Sequence, residues 1–336
     1  MKIIAYTQGK EHPCARFRVR QYLPYLKDAN IDVTEKYTKF SAYPPRNKLL
    51  RPLWGIETIA ERMIDVPKSK NYDLTWLQKT FISKYPTIEK YTKGPKLFDI
   101  DDAIYMGNPK LLTTMAQISD GVICGNEFLA EKYGEFNKNI HIIPTGVDSD
   151  RFIPREKRNS ELFIIGWSGS SVGLRYVYQH EKAIASFLEK HKNTRIRIVT
   201  DMAPKFTMIN PKQVEFVKWT AENEVYDIQN FDVGIMPLFD TEFEKGKCSY
   251  KMLLYMACGV PVIVSPVGMN NQVLKLGSMG VSANTSDEWF DQLETMYQYS
   301  DSQRKEIGRN GRNVVINNFD SKVIAKELAT VFQQYK

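Results

Sequence analysis

The chain has 336 residues, of which 43% are hydrophobic and 25% charged, enough for two soluble domains of ordinary size. No window approaches the roughly 18 apolar residues of a membrane-spanning helix, and the N-terminus lacks the apolar core of a signal peptide. The four cysteines form no C-x-x-C pair and the four histidines are scattered, so we predict reduced thiols and no structural metal. These features favour a cytoplasmic protein.

The net charge of +7 is unevenly distributed along the chain. Residues 1–98 contain 19 Lys/Arg and 9 Asp/Glu, a net charge of +10, whereas the remainder contains 27 Lys/Arg and 30 Asp/Glu. An ordinary solvated basic surface explains this pattern. The alternative explanation is a surface that meets an anionic partner, such as the inner face of a membrane or a lipid-phosphate acceptor. No module for binding nucleic acid is visible.

Strand-like and helix-like segments alternate from the N-terminus to about residue 143. The apolar, β-branched runs predict strands over residues 2–7, 31–36, 72–78, 96–100, 121–124 and 141–143. Helical periodicity predicts helices over residues 16–28, 55–66, 86–93, 111–118 and 128–133. This alternation indicates one doubly wound α/β domain.

Two prolines and a glycine in residues 143–154 interrupt the alternation and predict a linker. Beyond it, strands are predicted over residues 162–167, 195–200, 214–218, 233–237 and 260–264. Helices are predicted over residues 175–191, 223–229, 288–297, 302–317 and 322–334. We therefore predict an α/β protein with a first Rossmann-like domain over residues 1–153 and a second over residues 154–321.

Residues 246–268 form the most informative segment of the chain. They read as a glycine-opened loop, a helix with one apolar face, a C-terminal glycine (Gly259) and a buried strand. The N–H groups and dipole of a helix N-terminus favour an anion. Lys247, Lys251 and Tyr255 are four residues apart and would form a stripe beside the apolar face. This arrangement suits a phosphate or diphosphate.

The same segment resembles a known family. Residues 255–263 read Y-M-A-C-G-V-P-V-I and resemble the E-A-M-A-C-G-x-P-V-I run of family-four glycosyltransferases (glycosyl transferases group 1), which have the GT-B fold. Residues 143–154 are similar to the I-P-N-G-V-D-x-x-x-F-x-P hinge of that family. The chain departs from the family in lacking the two glutamates that are common near the donor helix.

The resemblance implies two Rossmann-like doubly wound domains facing a cleft, with the acceptor on the first domain and the nucleotide-sugar donor on the second. It also implies that the last helix, residues 322–336, crosses back to the first domain. The implied reaction moves a sugar from a nucleotide-sugar to an acceptor hydroxyl, with retention at the anomeric carbon and without a metal or other cofactor. The acceptor would be a carbohydrate or lipid-linked molecule in cell-surface polysaccharide or glycoconjugate assembly.

Several residues of the second domain are candidates for binding the donor. Gly169-Ser170-Ser171 follows a strand and opens a helix, so its backbone can approach a phosphate, although a simple βα turn has the same composition. Arg175 is the nearest cation, and Trp219 would stack on the nucleobase or pack in the core. The predicted donor-binding set is Gly169, Ser170, Ser171, Arg175, Trp219, Lys247, Cys248, Ser249, Lys251 and Tyr255.

The first domain offers candidates for catalysis and for the acceptor. Asp101 and Asp102 end a strand, where doubly wound folds place ligand-binding groups. Either would polarise a sugar hydroxyl or stabilise positive charge at the anomeric carbon, unless it serves as a cap or salt-bridge partner. Asp101, Asp102 and Lys247 form the predicted catalytic set. The loop after the first strand supplies the predicted acceptor set of His12, Arg16 and Arg18.

Two other functions stay open. A GT-B nucleotide-sugar epimerase would need acids and a histidine in the cleft for proton or elimination chemistry. A non-catalytic nucleotide-sugar-binding homologue would explain the missing glutamates.

Overall fold

The computed structural model describes residues 1–10, 12–39, 44–45, 47–156 and 162–336. Its contacts divide the chain into two units. Unit 1 comprises Met1–Gly146, Lys245–Cys248 and Ser321–Lys336, and unit 2 comprises Val147–Glu244 and Ser249–Asp320. The last helix therefore groups with the N-terminal unit. No helix among the described residues is both long and apolar enough to cross a bilayer.

The described residues form strands and α-helices in alternation. The strands are β1 (Lys2–Tyr6), β2 (Asp32–Lys36), β3 (Leu74–Gln78), β4 (Lys96–Ile100), β5 (Gly121–Cys124), β6 (Ile140–Ile142), β7 (Phe163–Ser168), β8 (Thr194–Thr200), β9 (Val214–Lys218), β10 (Val233–Met236), β11 (Val262–Val264) and β12 (Gly280–Ser282). The helices are α1 (Pro13–Arg18), α2 (Leu23–Asp28), α3 (Arg51–Asp65), α4 (Pro109–Ile118), α5 (Glu127–Gly134), α6 (Leu174–Tyr178), α7 (Glu181–Lys190), α8 (Glu224–Gln229), α9 (Glu242–Lys245), α10 (Tyr250–Ala257), α11 (Met269–Leu274), α12 (Ser286–Gln298), α13 (Asp301–Asn318) and α14 (Ser321–Gln333).

Unit 1 is built on a parallel sheet with the strand order β2-β1-β3-β4-β5-β6 among the described residues. Every residue of β3 is buried, as expected for a parallel strand covered on both faces. The last helix, α14, packs into this core: the Phe332 ring lies 5.0 Å from the Trp76 ring of β3. The N-terminal unit is thus completed by the C-terminal segment of the chain.

Unit 2 has a second parallel sheet with the order β12-β11-β10-β7-β8-β9 among the described residues. Two strand glycines let aromatic rings lie directly on it. A methyl group at Gly166 would overlap the Phe231 ring, and one at Gly234 would overlap the Tyr255 ring. Since Tyr255 belongs to α10, Gly234 determines how closely that helix approaches the sheet.

The structure differs from the predicted elements at several places. The helix predicted over residues 16–28 breaks at Val19, where φ is −128° and ψ −65°, and resumes as α2 with Pro24 in its first turn. The helix predicted over residues 175–191 is divided at His180, whose ring stacks on Trp289 at 4.9 Å. Residues 86–93 contain only the 3₁₀ turn Glu89–Tyr91. The short elements α9, α11 and β12 were not predicted.

Candidate functional site

The turn before α10 in unit 2 is held by a buried side-chain pair. Ser249 has a left-handed backbone with φ 52°, and its Oγ donates to Asn270 Oδ1 at 2.7 Å. The Asn270 amide in turn donates to the Ser265 carbonyl at 3.0 Å. Because Ser249 is buried and its hydroxyl is used in this way, it fixes the start of α10. The predicted direct contact of its side chain with a donor is wrong.

Lys251 and Gly169, which are predicted separately from sequence, lie together in the structure. Lys251 is in the first turn of α10, and a methyl group on Gly169 would overlap the methylene next to its ammonium. The Lys251 Nζ is 5.8 Å from the centroid of the Trp167 ring, within cation–π distance. A cation therefore lies at the carboxyl end of β7, the edge where doubly wound sheets bind ligands.

The buried Tyr255 holds the carboxyl end of β7 in place through a hydrogen bond. Its side chain is fully buried, and its hydroxyl accepts the Ser168 N–H at 2.9 Å. Burial raises the pKa of the Tyr255 phenol, so the group stays neutral. The prediction that Tyr255 touches the donor is wrong, because the helix face that carries it is turned onto Gly234 of the sheet.

The N–H groups of the loop after β7 already have acceptors within unit 2. The Gly169 N–H donates to the Val199 carbonyl at 3.0 Å. The Ser171 N–H and Oγ both donate to the Asp201 carboxylate, at 2.6 and 2.9 Å. The Ser171 N–H lowers the pKa of Asp201, so this carboxylate remains ionised at neutral pH. A phosphate bound at Ser171 would have to displace Asp201; Ser170 is exposed beside it.

Arg175 is the second cation of this region. Its guanidinium is about half exposed and donates to the Tyr176 hydroxyl at 2.7 Å. The buried Glu244 orients the pair: it accepts the Tyr176 O–H at 2.5 Å and lies 3.4 Å from Arg175. The sequence analysis missed Glu244, although an acidic residue just before the Gly246 loop was a visible signal.

Trp219 follows β9 and is one of the exposed aromatic side chains of unit 2, with 38% of its surface accessible. Its Nε1 donates to Glu224 Oε1 at 3.3 Å. This hydrogen bond holds the indole edge, and the accessible surface is sufficient for a ring to stack on it. The alternative of a core tryptophan is wrong, and stacking on a nucleobase stays a prediction.

Lys247 and Cys248 lie in the segment that groups with unit 1. The Asn126 amide donates to the Lys245 carbonyl at 3.3 Å and to the Lys247 carbonyl at 3.0 Å. Since the left-handed Ser249 separates Lys247 from α10, the predicted stripe of Lys247, Lys251 and Tyr255 on one helix is wrong. Burial raises the pKa of the Cys248 thiol to about 11, so it is protonated at neutral pH.

The carboxylates at the end of β4 in unit 1 surround a buried ammonium. Lys79 Nζ lies 2.8 Å from Asp101 Oδ1, 2.8 Å from Asp102 Oδ2 and 3.0 Å from Cys14 Sγ. Ligand atoms of Cys14, Asp101 and Asp102 lie within 4.8 Å of one another, close enough to hold a cation. The Lys79 ammonium is that cation here. Sequence reasoning missed Lys79.

Burial and charge have opposite effects on the pKa values of Lys79 and Asp101. Burial alone would lower the pKa of Lys79, but Asp101 and Asp102 outweigh it and raise the pKa well above its ordinary value. Burial would raise the pKa of Asp101, but Lys79 holds it below its ordinary value. Lys79 and Asp101 are therefore both charged at neutral pH. The Asp102 side chain is 32% exposed, which makes it the more accessible of the two predicted catalytic carboxylates.

The predicted acceptor residues have different environments. His12 caps α1, where its Nδ1 accepts the Cys14 N–H at 3.3 Å. Burial and Lys79 lower the pKa of His12 to about 4, so it is neutral. Arg16 is half-buried, with its guanidinium 5.0 Å from the Phe17 ring. Roles for His12 and Arg16 at an acceptor stay predictions.

Arg18 is not an acceptor ligand, contrary to the prediction. Its side chain is buried, pairs with Asp99 at 2.8 Å and donates to the Ile143 carbonyl at 2.8 Å. Asp99 also accepts the Trp76 Nε1–H at 3.0 Å. Arg18 therefore joins α1 to β3, β4 and the end of β6, because its guanidinium pairs with the distant Asp99 and donates to the Ile143 carbonyl.

A family model matches part of the second half of the chain. Residues 162–299 match the model of the family described as glycosyl transferases group 1. The matched segment contains the Gly169 loop, Arg175, Trp219 and Lys251. No curated protein sequence matches the chain.

Solved structures agree with the whole fold. The chain is similar to Anabaena Alr3699/HepE in complex with UDP and glucose, with a TM-score of 0.69, 14% identity and 99% of each chain covered. A glycosyltransferase from Rickettsia africae has a TM-score of 0.70, 14% identity, and coverage of 99% of this chain and 98% of that one. Sucrose-phosphate synthase from Thermosynechococcus elongatus has a TM-score of 0.68, 15% identity, and coverage of 99% and 98%. The predicted GT-B class with two Rossmann-like units is confirmed.

Proposed function

We propose that this chain is a cytoplasmic glycosyltransferase that moves a sugar from a nucleotide-sugar to an acceptor hydroxyl. The observation that carries the proposal is Lys251, placed against Gly169 at the carboxyl end of β7 inside the segment that matches group 1 glycosyltransferases. The similar HepE structure contains UDP and glucose, which makes UDP-glucose the first donor to test.

On the donor side, Lys251 and Arg175 bind the diphosphate. The leaving nucleoside diphosphate gains negative charge as the glycosidic bond breaks, so fixed cations stabilise the transition state more than the ground state. Trp219 stacks on the nucleobase. Glu244 orients Arg175, and Tyr255 orients the end of β7 through Ser168.

On the acceptor side, Asp102 accepts a hydrogen bond from a sugar hydroxyl while the Lys79 ammonium, 2.8 Å away, holds its carboxylate in position. The reaction retains the anomeric configuration, with a leaving phosphate oxygen taking the acceptor proton. It needs no divalent metal, because the Lys79 ammonium already pairs with both Asp101 and Asp102, where a cation would bind. The acceptor is a carbohydrate or a lipid-linked molecule of cell-surface polysaccharide or glycoconjugate assembly.

The donor role of Lys251 is tested by Lys251→Ala, with Lys182→Ala on the exposed face of α7 as the matched control. Loss of one charged hydrogen bond to phosphate costs about 1.5–3 kcal/mol. We expect a tenfold or greater loss of UDP-sugar affinity, measured by calorimetry, with an unchanged melting temperature. Equal affinity in Lys251→Ala and Lys182→Ala would remove Lys251 from the site.

The reaction itself is tested by nucleotide release with a panel of UDP-, GDP-, ADP- and dTDP-sugars, with and without acceptor. A donor present at 100 times its dissociation constant stabilises the protein by about 2.7 kcal/mol, which a thermal-shift screen detects.

Transfer should persist in excess EDTA; its loss, with recovery on adding Mn²⁺ or Mg²⁺, would assign a metal to Asp101 and Asp102. Binding without turnover would instead support a non-catalytic protein, and an epimerised sugar an epimerase.

A further inference from the structure

Helix α3 of unit 1 has its polar and apolar faces reversed. In an ordinary surface helix the apolar stripe faces the core and the polar face meets water. In α3 the fully buried side chains are Thr58 and Arg62. The side chains of Leu53, Ile56 and Met63 are instead 57%, 67% and 61% exposed.

Polar contacts attach α3 to its unit. The Arg62 guanidinium lies 4.7 Å from the centroid of the Phe81 ring and donates to the Lys36 carbonyl at 3.0 Å and to the Thr7 carbonyl. Thr58 donates to the Trp54 carbonyl one turn earlier, at 2.8 Å. The apolar face is therefore not required to hold the helix in place, and another explanation for it is needed.

The exposed apolar side chains of α3 lie on one side of the helix. At 100° per residue, positions 53, 56, 60, 63 and 64 occupy an arc of about 100° on one side of the helix. The 3₁₀ turn Lys48–Leu50 directly precedes α3 and adds two leucines. We call this set the α3 apolar face: Leu49, Leu50, Leu53, Ile56, Met63 and Ile64. It holds six of the 21 large hydrophobic side chains found exposed among the described residues, within 16 consecutive positions.

Basic side chains are the more exposed charges around the α3 apolar face. Between residues 47 and 72 four basic residues are exposed, whereas the three acidic residues are half-buried. Two of these acids are engaged: Glu61 accepts the Lys39 N–H at 3.0 Å, and Asp65 pairs with Lys68 at 2.7 Å. The exposed basic residues are Lys48, Arg51, Lys68 and Lys70.

We propose that the α3 apolar face docks into the interfacial region of an anionic bilayer. A helix with a large apolar face beside basic side chains lies in the plane of the headgroups, where it buries apolar area and attracts acidic lipid. Each Lys or Arg near an anionic surface adds about 1 kcal/mol. A second copy of this chain is a poorer occupant, because pairing two such faces would bring like charges together. This proposal does not depend on the glycosyltransferase activity.

The test is co-sedimentation of the full chain with vesicles of phosphatidylcholine alone and of an equimolar mixture with phosphatidylglycerol. We expect binding to the mixed vesicles, and release as salt rises from about 0.1 M to about 1 M and the screening length falls from ~10 Å to ~3 Å. Ile56→Ser/Ile64→Ser should lower the partition coefficient at least tenfold, about 1.4 kcal/mol, with an unchanged circular dichroism spectrum.

Met208→Ser/Leu276→Ser is the matched control, since these two side chains of unit 2 are also exposed and apolar. It should bind vesicles like the wild type. Lys48→Ser/Lys70→Ser should lose the preference for phosphatidylglycerol. Equal binding by Ile56→Ser/Ile64→Ser and the wild type would overturn the proposal. The proposal would also be overturned if the wild type did not bind vesicles and sedimentation equilibrium showed a dimer that Ile56→Ser/Ile64→Ser dissociates. The α3 apolar face would then pair two copies of the chain.

Discussion

Replacing Lys79 by methionine tests the ionised group at the end of β4. The ammonium lies 2.8 Å from both Asp101 and Asp102 and is buried together with Asp101, whereas Asp102 is 32% exposed. Removing one member of a buried ion pair leaves an uncompensated charge and costs about 3–5 kcal/mol. One kcal/mol corresponds to about 2–4 °C in a unit of this size, so the melting temperature of unit 1 should fall by about 6–20 °C at neutral pH.

The pH dependence of this loss has a defined sign. In the wild type, Lys79 holds the pKa of Asp101 below its ordinary value, so Asp101 contributes stability that is present above the ordinary pKa and lost as pH falls through the depressed one. Without Lys79, burial raises the pKa of Asp101, and protonation of Asp101 then removes the unpaired buried charge from the variant. The difference in free energy of unfolding should therefore be largest near pH 7 and shrink as pH falls towards about 4.

Scanning calorimetry at several pH values measures both effects. Lys84→Met is the matched control, because Lys84 also has a left-handed backbone, with φ 69° against 60° for Lys79, but is exposed. Its melting temperature should change by no more than a few degrees. If Lys79→Met loses no more stability than Lys84→Met at pH 7, or loses more at acid than at neutral pH, the assigned charges are wrong.

Two further substitutions each test one structural contact, the first in unit 2 and the second in unit 1. Tyr255→Phe leaves the Ser168 N–H without its acceptor and should cost about 1–3 kcal/mol; hydrogen exchange at the Ser168 amide should accelerate, and an unchanged rate would contradict the bond. Phe332→Ala removes the ring that packs 5.0 Å from Trp76 and should destabilise unit 1 by about 3–5 kcal/mol. If Phe332→Ala melts like the wild type, the last helix is not part of that core.

The segment of residues 246–268 shows which features can be predicted from neighbouring residues alone. The apolar spacing in residues 250–257 and the following β-branched run predicted α10 and β11 correctly, because both patterns are set by neighbours along the chain. The same reasoning placed Tyr255 at a ligand, and it is buried against Gly234. Helical periodicity shows which residues share a face, but the partner of that face depends on a strand elsewhere in the chain.

Long-range partners explain the other differences. Arg18 resembled a loop cation until Asp99, on β4, was found to pair with it. Lys79 carried no motif, yet it pairs with the two carboxylates that the sequence analysis selected. Helix α3 was predicted over residues 55–66 and is observed over Arg51–Asp65, but which of its faces is buried depends on Thr7, Lys36 and Phe81, elsewhere in the chain.

The sequence by itself determined the two Rossmann-like units, most strand positions and the resemblance to group 1 glycosyltransferases, because these depend on residue patterns within short windows. Only the tertiary structure decided which predicted residues are buried structural contacts and which charges are paired. The physical reason is that burial and charge pairing are properties of residues brought together from distant positions, and a side chain's pKa and accessibility follow from those partners.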